Sequence, residues 1–229
     1  MADYKTEAAK AAIKLIQPGQ TIGLGAGTTI ANLVALIAAD STLPASLTLV
    51  SSSFKTTTLM REHGLNVQSI ALTKSPAIYF DGCDQFDTEL NALKSGGGIH
   101  TSEKILASMA KEFILLGDAA KFVDKLDTTY PMVIEVIPAA LSLVSERLSG
   151  HFPDAGISIR MSDKKDGAAI SDNGNLLLDV YFTQLPALDE LNVLVKMIPG
   201  VVEHSLFYRM ATKAIVAGAE GIKAITPTR

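Results

Sequence analysis

Short apolar runs alternate with amphipathic stretches along the first half of the chain. Ala9, Ile13 and Ile16 recur at helical spacing, which predicts a helix over residues 6–16 ended by Pro18-Gly19. Residues 21–24 read as a short apolar strand, followed by the glycine-rich turn 23–29 and a helix over 30–39. A second strand is expected at 47–51, leaving through Ser51-Ser52-Ser53. A helix over 56–63 follows, closed by Gly64. Further strands are expected at 66–70 and 77–80, the latter running into Asp81. Thr101 is the expected N-cap of a helix over 103–111, and 113–117 is a strand leading to Asp118 and Lys121.

Strands alternating with helices, with polar residues at the strand exits, predict an α/β fold. Its mostly parallel sheet is flanked by helices in a Rossmann-like arrangement. Ligands of such sheets sit beyond the carboxyl ends of the strands. Residues 25–29, 51–53, 81–84 and 118–121 all fall there. The pattern changes after Tyr130-Pro131. A strand at 132–136, a helix at 139–148 and two antiparallel strands at 157–161 and 176–180 follow, the strands separated by Asp172-Asn173-Gly174-Asn175. A helix over 188–197 stops at Pro199-Gly200. These elements predict a second, smaller α+β domain over 129–203. Residues 1–128 and 204–229 then form the α/β domain, with a strand at 214–217 returning to the first sheet and 221–225 closing the chain.

Composition narrows the class. The 229 residues are 48% hydrophobic with a net charge of −4, and the mean hydropathy is +0.27. That suits a compact enzyme and gives non-specific nucleic-acid binding little electrostatic support. The single cysteine, Cys83, forms no intrachain disulfide, which fits a reducing compartment. Residues 1–12 hold no apolar signal core, and no apolar run reaches the roughly 18–20 residues of a membrane span. A cytoplasmic protein is expected, with no membrane or nucleic-acid partner.

Two segments carry chemistry. Gly23-x-Gly25-x-Gly27 lacks the third glycine of a dinucleotide fingerprint, because Thr28 or Ile30 stands where it is needed. The turn instead offers backbone N–H groups and the hydroxyls of Thr28 and Thr29 at a helix N-terminus, which suits one phosphate group. It serves equally as a tight strand-to-helix connection. The second segment runs from Asp81-Gly82-Cys83-Asp84 through Lys94-Ser95-Gly96-Gly97-Gly98 to Glu103. Taken singly, its aspartates read as turn and cap residues, Lys94 as a solvated lysine and Glu103 as a first-turn carboxylate. Together they are a set for moving protons on a small polar substrate. Cys83, between two aspartates, is expected to be a poor thiolate because nearby negative charge raises its pKa. His63, His100, His151 and His204 have no metal-ligand spacing.

These blocks resemble the type A ribose-5-phosphate isomerases. The resemblance runs nearly end to end and includes Gly25-Ala26-Gly27-Thr28-Thr29, Ser51-Ser52-Ser53, Asp81-Gly82-Cys83-Asp84, Lys94 with its glycines, and Thr101-x-Glu103-Lys104. It continues through Asp118-x-x-Lys121, Glu135-Val136-x-Pro138, Asp172-Asn173-Gly174-Asn175 and Ile198-Pro199-Gly200-Val201-Val202. The resemblance implies interconversion of ribose 5-phosphate and ribulose 5-phosphate, a step of the non-oxidative pentose phosphate pathway, without metal or organic cofactor. Glu103 would shuttle the proton between C2 and C1. Asp81 would assist ring opening with Asp84 nearby, and Lys94 and the glycine amides would steady the enediolate. Substrate-binding positions would be Ala26, Gly27, Thr28, Thr29, Gly82, Cys83, Ser95, Gly96, Gly97 and Lys121. A homodimer or tetramer is implied.

The chain departs from the usual family pattern at Ala26, Gln85, Ser95 and Ser102, and at Glu203-His204-Ser205. These substitutions also motivate a second reading, a sugar-phosphate-binding sensor without catalysis. A third is an enzyme for a related phosphorylated sugar. For Glu103 the helix N-terminus and Lys94 act to lower its pKa, while desolvation acts to raise it.

Overall fold

The computed structural model describes residues 3–228, so the outermost residues of the expected 1–128 and 204–229 segments lie outside the described residues. In chain order the strands are β1 Thr21–Leu24, β2 Thr48–Ser51, β3 Ile78–Asp81, β4 Gln85–Phe86, β5 Ala92–Leu93, β6 Glu112–Asp118 and β7 Met132–Val136. They continue as β8 Gly156–Ile159, β9 Leu176–Tyr181, β10 Val201–His204, β11 Leu206–Phe207, β12 Lys213–Gly218 and β13 Gly221–Ile225. The helices are α1 Tyr4–Ile13, α2 Thr28–Ala39, α3 Leu43–Ser46, α4 Phe54–Glu62, α5 His100–Met109, α6 Leu141–His151 and α7 Leu188–Lys196.

A six-stranded sheet runs in the order β13-β12-β6-β3-β1-β2 and is parallel except for β13. Because successive strand residues face opposite sides, neighbours in sequence enter different cores. Leu49, Phe80, Ile114, Leu116 and Ile215 pack under α1 and α2. Val50, Tyr79, Phe113, Leu115 and Val216 pack on the other face with Leu106 of α5 and Phe207. The expected mostly parallel α/β sheet is present. The chain goes from β1 outward to β2 and then crosses back to β3 on the other side of β1. The strand order therefore reverses between β1 and β3, and the carboxyl ends of those two strands open a crevice.

A separate antiparallel sheet runs β10-β7-β9-β8, and its core includes Ile134, Leu178, Val144 of α6 and Val195 of α7. The two-residue strands β4, β5 and β11 form a third sheet. Several sequence expectations shift. The helix over 6–16 is α1, which starts earlier because Asp3 caps it through the Thr6 N–H. It ends earlier because Leu15 and Ile16 bond to Ala12 and Ile13 in a tighter turn. The strand expected at 66–70 reduces to one bridge, Val67 to Leu49, followed by a 3₁₀ turn at Ile70–Leu72. Its few apolar residues do not hold an edge strand. Thr101 is not the cap of α5. Ile99 takes that place, and the Thr101 hydroxyl, inside the first turn, is donated to Glu135.

Candidate active site

Asp81 ends β3, and backbone amides fix its side chain. Its Oδ1 accepts the Gly82 N–H at 2.7 Å and the Ala26 N–H at 3.0 Å. Its Oδ2 accepts the Tyr79 hydroxyl at 2.5 Å, and Tyr79 in turn lies 3.0 Å from Ser52 Oγ. Tyr79 and Asp81 share a face of β3 because they are two residues apart. The approach of β1 to this carboxylate explains Gly25, because a Cβ there would fall on the Asp81 carboxyl group. Gly25→Ala is expected to destabilise the fold by about 1–3 kcal/mol and to push Asp81 off its two amides. Urea unfolding and kcat measured on the same preparation check this.

Lys94 follows β5, and its main chain is held by Ser205 O at 3.0 Å. Its ammonium reaches Asp81 Oδ2 at 2.9 Å and Glu103 Oε1 at 3.2 Å, and donates to Gly82 O. Glu103 projects from the first turn of α5. As whole residues, Asp81, Lys94 and Glu103 are 1%, 7% and 5% exposed. Burial drives the Glu103 carboxyl up to about 8, with Lys94 opposing and Asp81 reinforcing the rise. Desolvation therefore outweighs the lysine, even before a ligand enters. Burial also works against the Lys94 charge, but Asp81 and Glu103 outweigh it and hold its pKa above the ordinary value. One cation sits between two carboxylates, and burial favours the protonated form of the glutamate.

Asp84 braces the glycine run. Its Oδ2 accepts the Ser95 N–H at 2.5 Å and the Gly96 N–H at 3.0 Å. Lys121, in the short 3₁₀ turn after β6, donates to Cys83 O at 2.5 Å. The Cys83 thiol is pushed up to about 12, mainly by burial, with Lys94 and Lys121 opposing. The sequence expectation of a poor thiolate holds, but the flanking aspartates are a minor cause.

Asp81, Lys94 and Glu103 open on one cleft of about 270 Å³. Its walls include Ala26 and Gly27 on one side, Gly82 to Asp84 and Lys121 on another, and Gly96 and Gly97 on a third. Glu103 and the loop after β1 thus face the same space. Three of the residues singled out from sequence lie elsewhere. Thr28 lines an adjoining cavity of about 660 Å³ that shares Ala26 and Gly27. Thr29 is buried in α2. Ser95 is buried, with its hydroxyl donated to Pro131 O at 2.5 Å.

Sequence reasoning missed the supports. Glu135 on β7 is fully buried and accepts hydrogen bonds from Thr101, Ser171, Asn173 and Asn175. Lys104, next to Glu103, is buried against Glu203 Oε1 at 2.9 Å and His204 O at 2.6 Å. The unusual 203–205 segment therefore ties α5 to β10. Only Tyr79 was findable from sequence, as a hydroxyl two residues before an aspartate on an expected strand. Among the described residues no group of His, Cys, Asp and Glu forms a metal-binding cluster, and no helix is long and apolar enough to cross a membrane.

The reversed strand order and this acid–lysine–acid row beside the carboxyl ends of β1 and β3 define an α/β protein with a site equipped for proton transfer. Comparison then gives the particular family. The sequence model of ribose 5-phosphate isomerase A (phosphoriboisomerase A) matches residues 48–221, and the chain belongs to that family. A ribose-5-phosphate isomerase A from Thermosynechococcus vestitus is 36% identical over 93% of this chain and 90% of its own. The ribose 5-phosphate isomerase A structure from Methanocaldococcus jannaschii superposes with a TM-score of 0.90 at 34% identity, covering 98% of each chain. A D-ribose-5-phosphate isomerase solved in complex with phospho-erythronic acid gives a TM-score of 0.91 at 34% identity, again covering 98% of each.

Proposed function

We propose that this enzyme interconverts D-ribose 5-phosphate and D-ribulose 5-phosphate through an enediolate, with Glu103 as the proton-transfer base. The observation that carries the reading is Lys94 held at 2.9 Å from Asp81 and 3.2 Å from Glu103 at the floor of the cleft. Proton abstraction beside a carbonyl needs a carboxylate base and a charge stabiliser for the resulting oxyanion. On this reading Asp81 assists opening of the furanose, with Asp84 nearby. Ionised Glu103 takes the proton from C2 of the open-chain aldose. The C1–C2 enediolate forms, with its negative charge facing the Lys94 ammonium and the amide of Gly97. Glu103 returns the proton to C1, the O2 proton passes to O1, and the ketone stands at C2. C1 is reduced as C2 is oxidised, so the step consumes no external oxidant. Ala26, Gly27, Gly82, Cys83 and Lys121 line the cleft, with Thr28 on the adjoining cavity, and make the surroundings that hold the sugar and its phosphate.

The phospho-erythronic acid bound by a related isomerase supports the reading. Its carboxylate has two coplanar oxygens on one carbon, as an enediolate has two on adjacent carbons, and it carries a phosphate. We propose that the enzyme works in the cytoplasm, in the non-oxidative pentose phosphate pathway. Self-association as a homodimer is supported by Val193 and Met197, which expose apolar side chains four residues apart at the end of α7.

The test is formation of ribulose 5-phosphate followed across pH. The active form carries an ionised Glu103, whose pKa in the free enzyme is raised to about 8. kcat/KM is therefore expected to climb about tenfold per pH unit below that value and to level above it. Substrate phosphate ionisation near pH ~6 adds a separate, lower inflection. Lys94→Met is expected to move the upper inflection to higher pH, because the ammonium that favours the ionised carboxylate is gone. No ketose product at any pH sinks the activity, and a profile flat between pH ~6.5 and ~9 sinks Glu103 as a base of this pKa.

A further inference from the structure

Gly96 and Gly97 form a thin wall between two spaces. On one side is the cleft with Glu103, and on the other a cavity of about 240 Å³ that Arg160 lines. Arg160 directly follows β8 of the antiparallel sheet, and its guanidinium crosses to this wall. One terminal nitrogen donates to Ser95 O at 2.9 Å and the other to Gly96 O at 3.3 Å. Asp179 on β9 fixes the guanidinium in turn, at 3.0 and 3.1 Å to Nε and 2.5 Å to a terminal nitrogen. The wall also has no slack beyond it. Gly98 has φ +67°, and a Cβ there would lie 2.8 Å from the Leu177 side chain.

A trans peptide is planar, with its N–H pointing opposite to its C=O. Holding Ser95 C=O toward Arg160 turns the Gly96 N–H the other way, and that N–H is found on Asp84 at 3.0 Å. Holding Gly96 C=O toward Arg160 turns the Gly97 N–H away from Arg160 in the same manner, to the side of the cleft that Gly97 lines. A charged donor on the carbonyl also polarises the peptide and strengthens its N–H as a donor. We infer that Arg160, clamped by Asp179, is a positioning residue that aims the Gly97 amide at the oxyanion of the reacting sugar. The inference rests on the enediolate reading above and adds to it a residue next to the second sheet, 57 positions beyond Glu103 in the sequence.

The test separates aim from mere bracing. Arg160→Met and Arg160→Lys are compared with the unaltered enzyme for kcat, KM and the binding of two probes. One probe is phospho-erythronic acid, whose carboxylate has the planar, anionic form of the intermediate. The other is ribitol 5-phosphate, which has no such group. Loss of one oxyanion donor lowers turnover by about 10²–10³-fold, and a donor left in place but mis-aimed is expected to lose about 10–100-fold in kcat. KM and ribitol 5-phosphate binding stay within about threefold, the acid weakens by roughly the kcat factor, and lysine restores part of both losses. Should Arg160→Met fail to fold, Asp179→Asn loosens the clamp while keeping its shape, and the same split between probes is expected at smaller size. An unchanged kcat, or equal weakening of both probes, overturns the inference and leaves Arg160 as a brace between sheets. Failure of the enediolate reading has a different signature, full activity in Glu103→Gln, which the ratio of probe affinities does not depend on.

Discussion

Glu103→Gln is expected to lower kcat by about 10²–10⁴-fold with little change in KM. General-base catalysis contributes a factor of this size, and the amide keeps the volume and one acceptor oxygen of the carboxylate. The Lys94–Asp81 pair at 2.9 Å remains, so the site keeps its shape. The substitution also has a thermodynamic signature. The Glu103 carboxyl has a folded-state pKa raised to about 8 from an ordinary 4.5, with burial the main cause. A group raised in this way contributes stability that is fully present below pH ~4.5 and is lost as pH rises through about 8. Glutamine cannot ionise. The variant should gain stability relative to the unaltered enzyme as pH rises through that window and hold the gain above it. Steady-state kinetics and thermal melts across pH check both halves. Turnover within a few-fold of the unaltered enzyme would remove Glu103 as the base, and parallel melting curves would deny the raised pKa.

Glu135→Leu is expected to be the most destabilising of the substitutions considered, by about 3–5 kcal/mol. The carboxylate is fully buried and accepts Ser171 Oγ at 2.7 Å, Asn175 Nδ2 at 2.8 Å and Asn173 Nδ2 at 3.0 Å, together with the Thr101 hydroxyl. Leucine leaves those donors facing an apolar side chain, and each stranded donor costs about 1–3 kcal/mol. Burial pushes the Glu135 pKa up, but the donors from Thr101, Asn175, Ser171 and Asn173 outweigh it and hold the carboxyl below its ordinary value. Its contribution is therefore present above pH ~4.5 and lost as pH falls through the folded-state value. Thr101 lies two residues before Glu103, so kcat falls together with stability. Urea unfolding at neutral and acid pH checks the size and the sign. A loss below about 1 kcal/mol would show that the four donors find other partners.

The strands of the parallel sheet were legible because their apolar runs end in polar residues, and because β3 runs into Asp81. The cleft was legible in part, since Asp81, Asp84, Lys94 and Glu103 lie within one segment and fold onto one space. The sheet of β4, β5 and β11 left no trace, because two residues carry no period. Thr101 has the composition of a cap, but it sits inside α5 because Glu135, 34 positions away, takes its hydroxyl. The Glu103 pKa could not be read either, because it depends on how deeply the protein covers the group. Arg160 and Asp179 were invisible as parts of the site. An arginine just after β8 and an aspartate on β9 look like a surface pair until β8 and β9 are laid against the glycine run.

The position of β12 has a consequence for how the molecule is made. It lies between β6 and β13, and its Lys213–Gly218 backbone zips onto β6, whose residues were synthesised about a hundred positions earlier. During translation, residues 132–204 emerge with all the strands of their own antiparallel sheet, so that part can form while the β6 edge still stands bare. The parallel sheet closes only after residues 213–225 have left the ribosome. Until then the open edge offers unpaired backbone groups to other nascent chains.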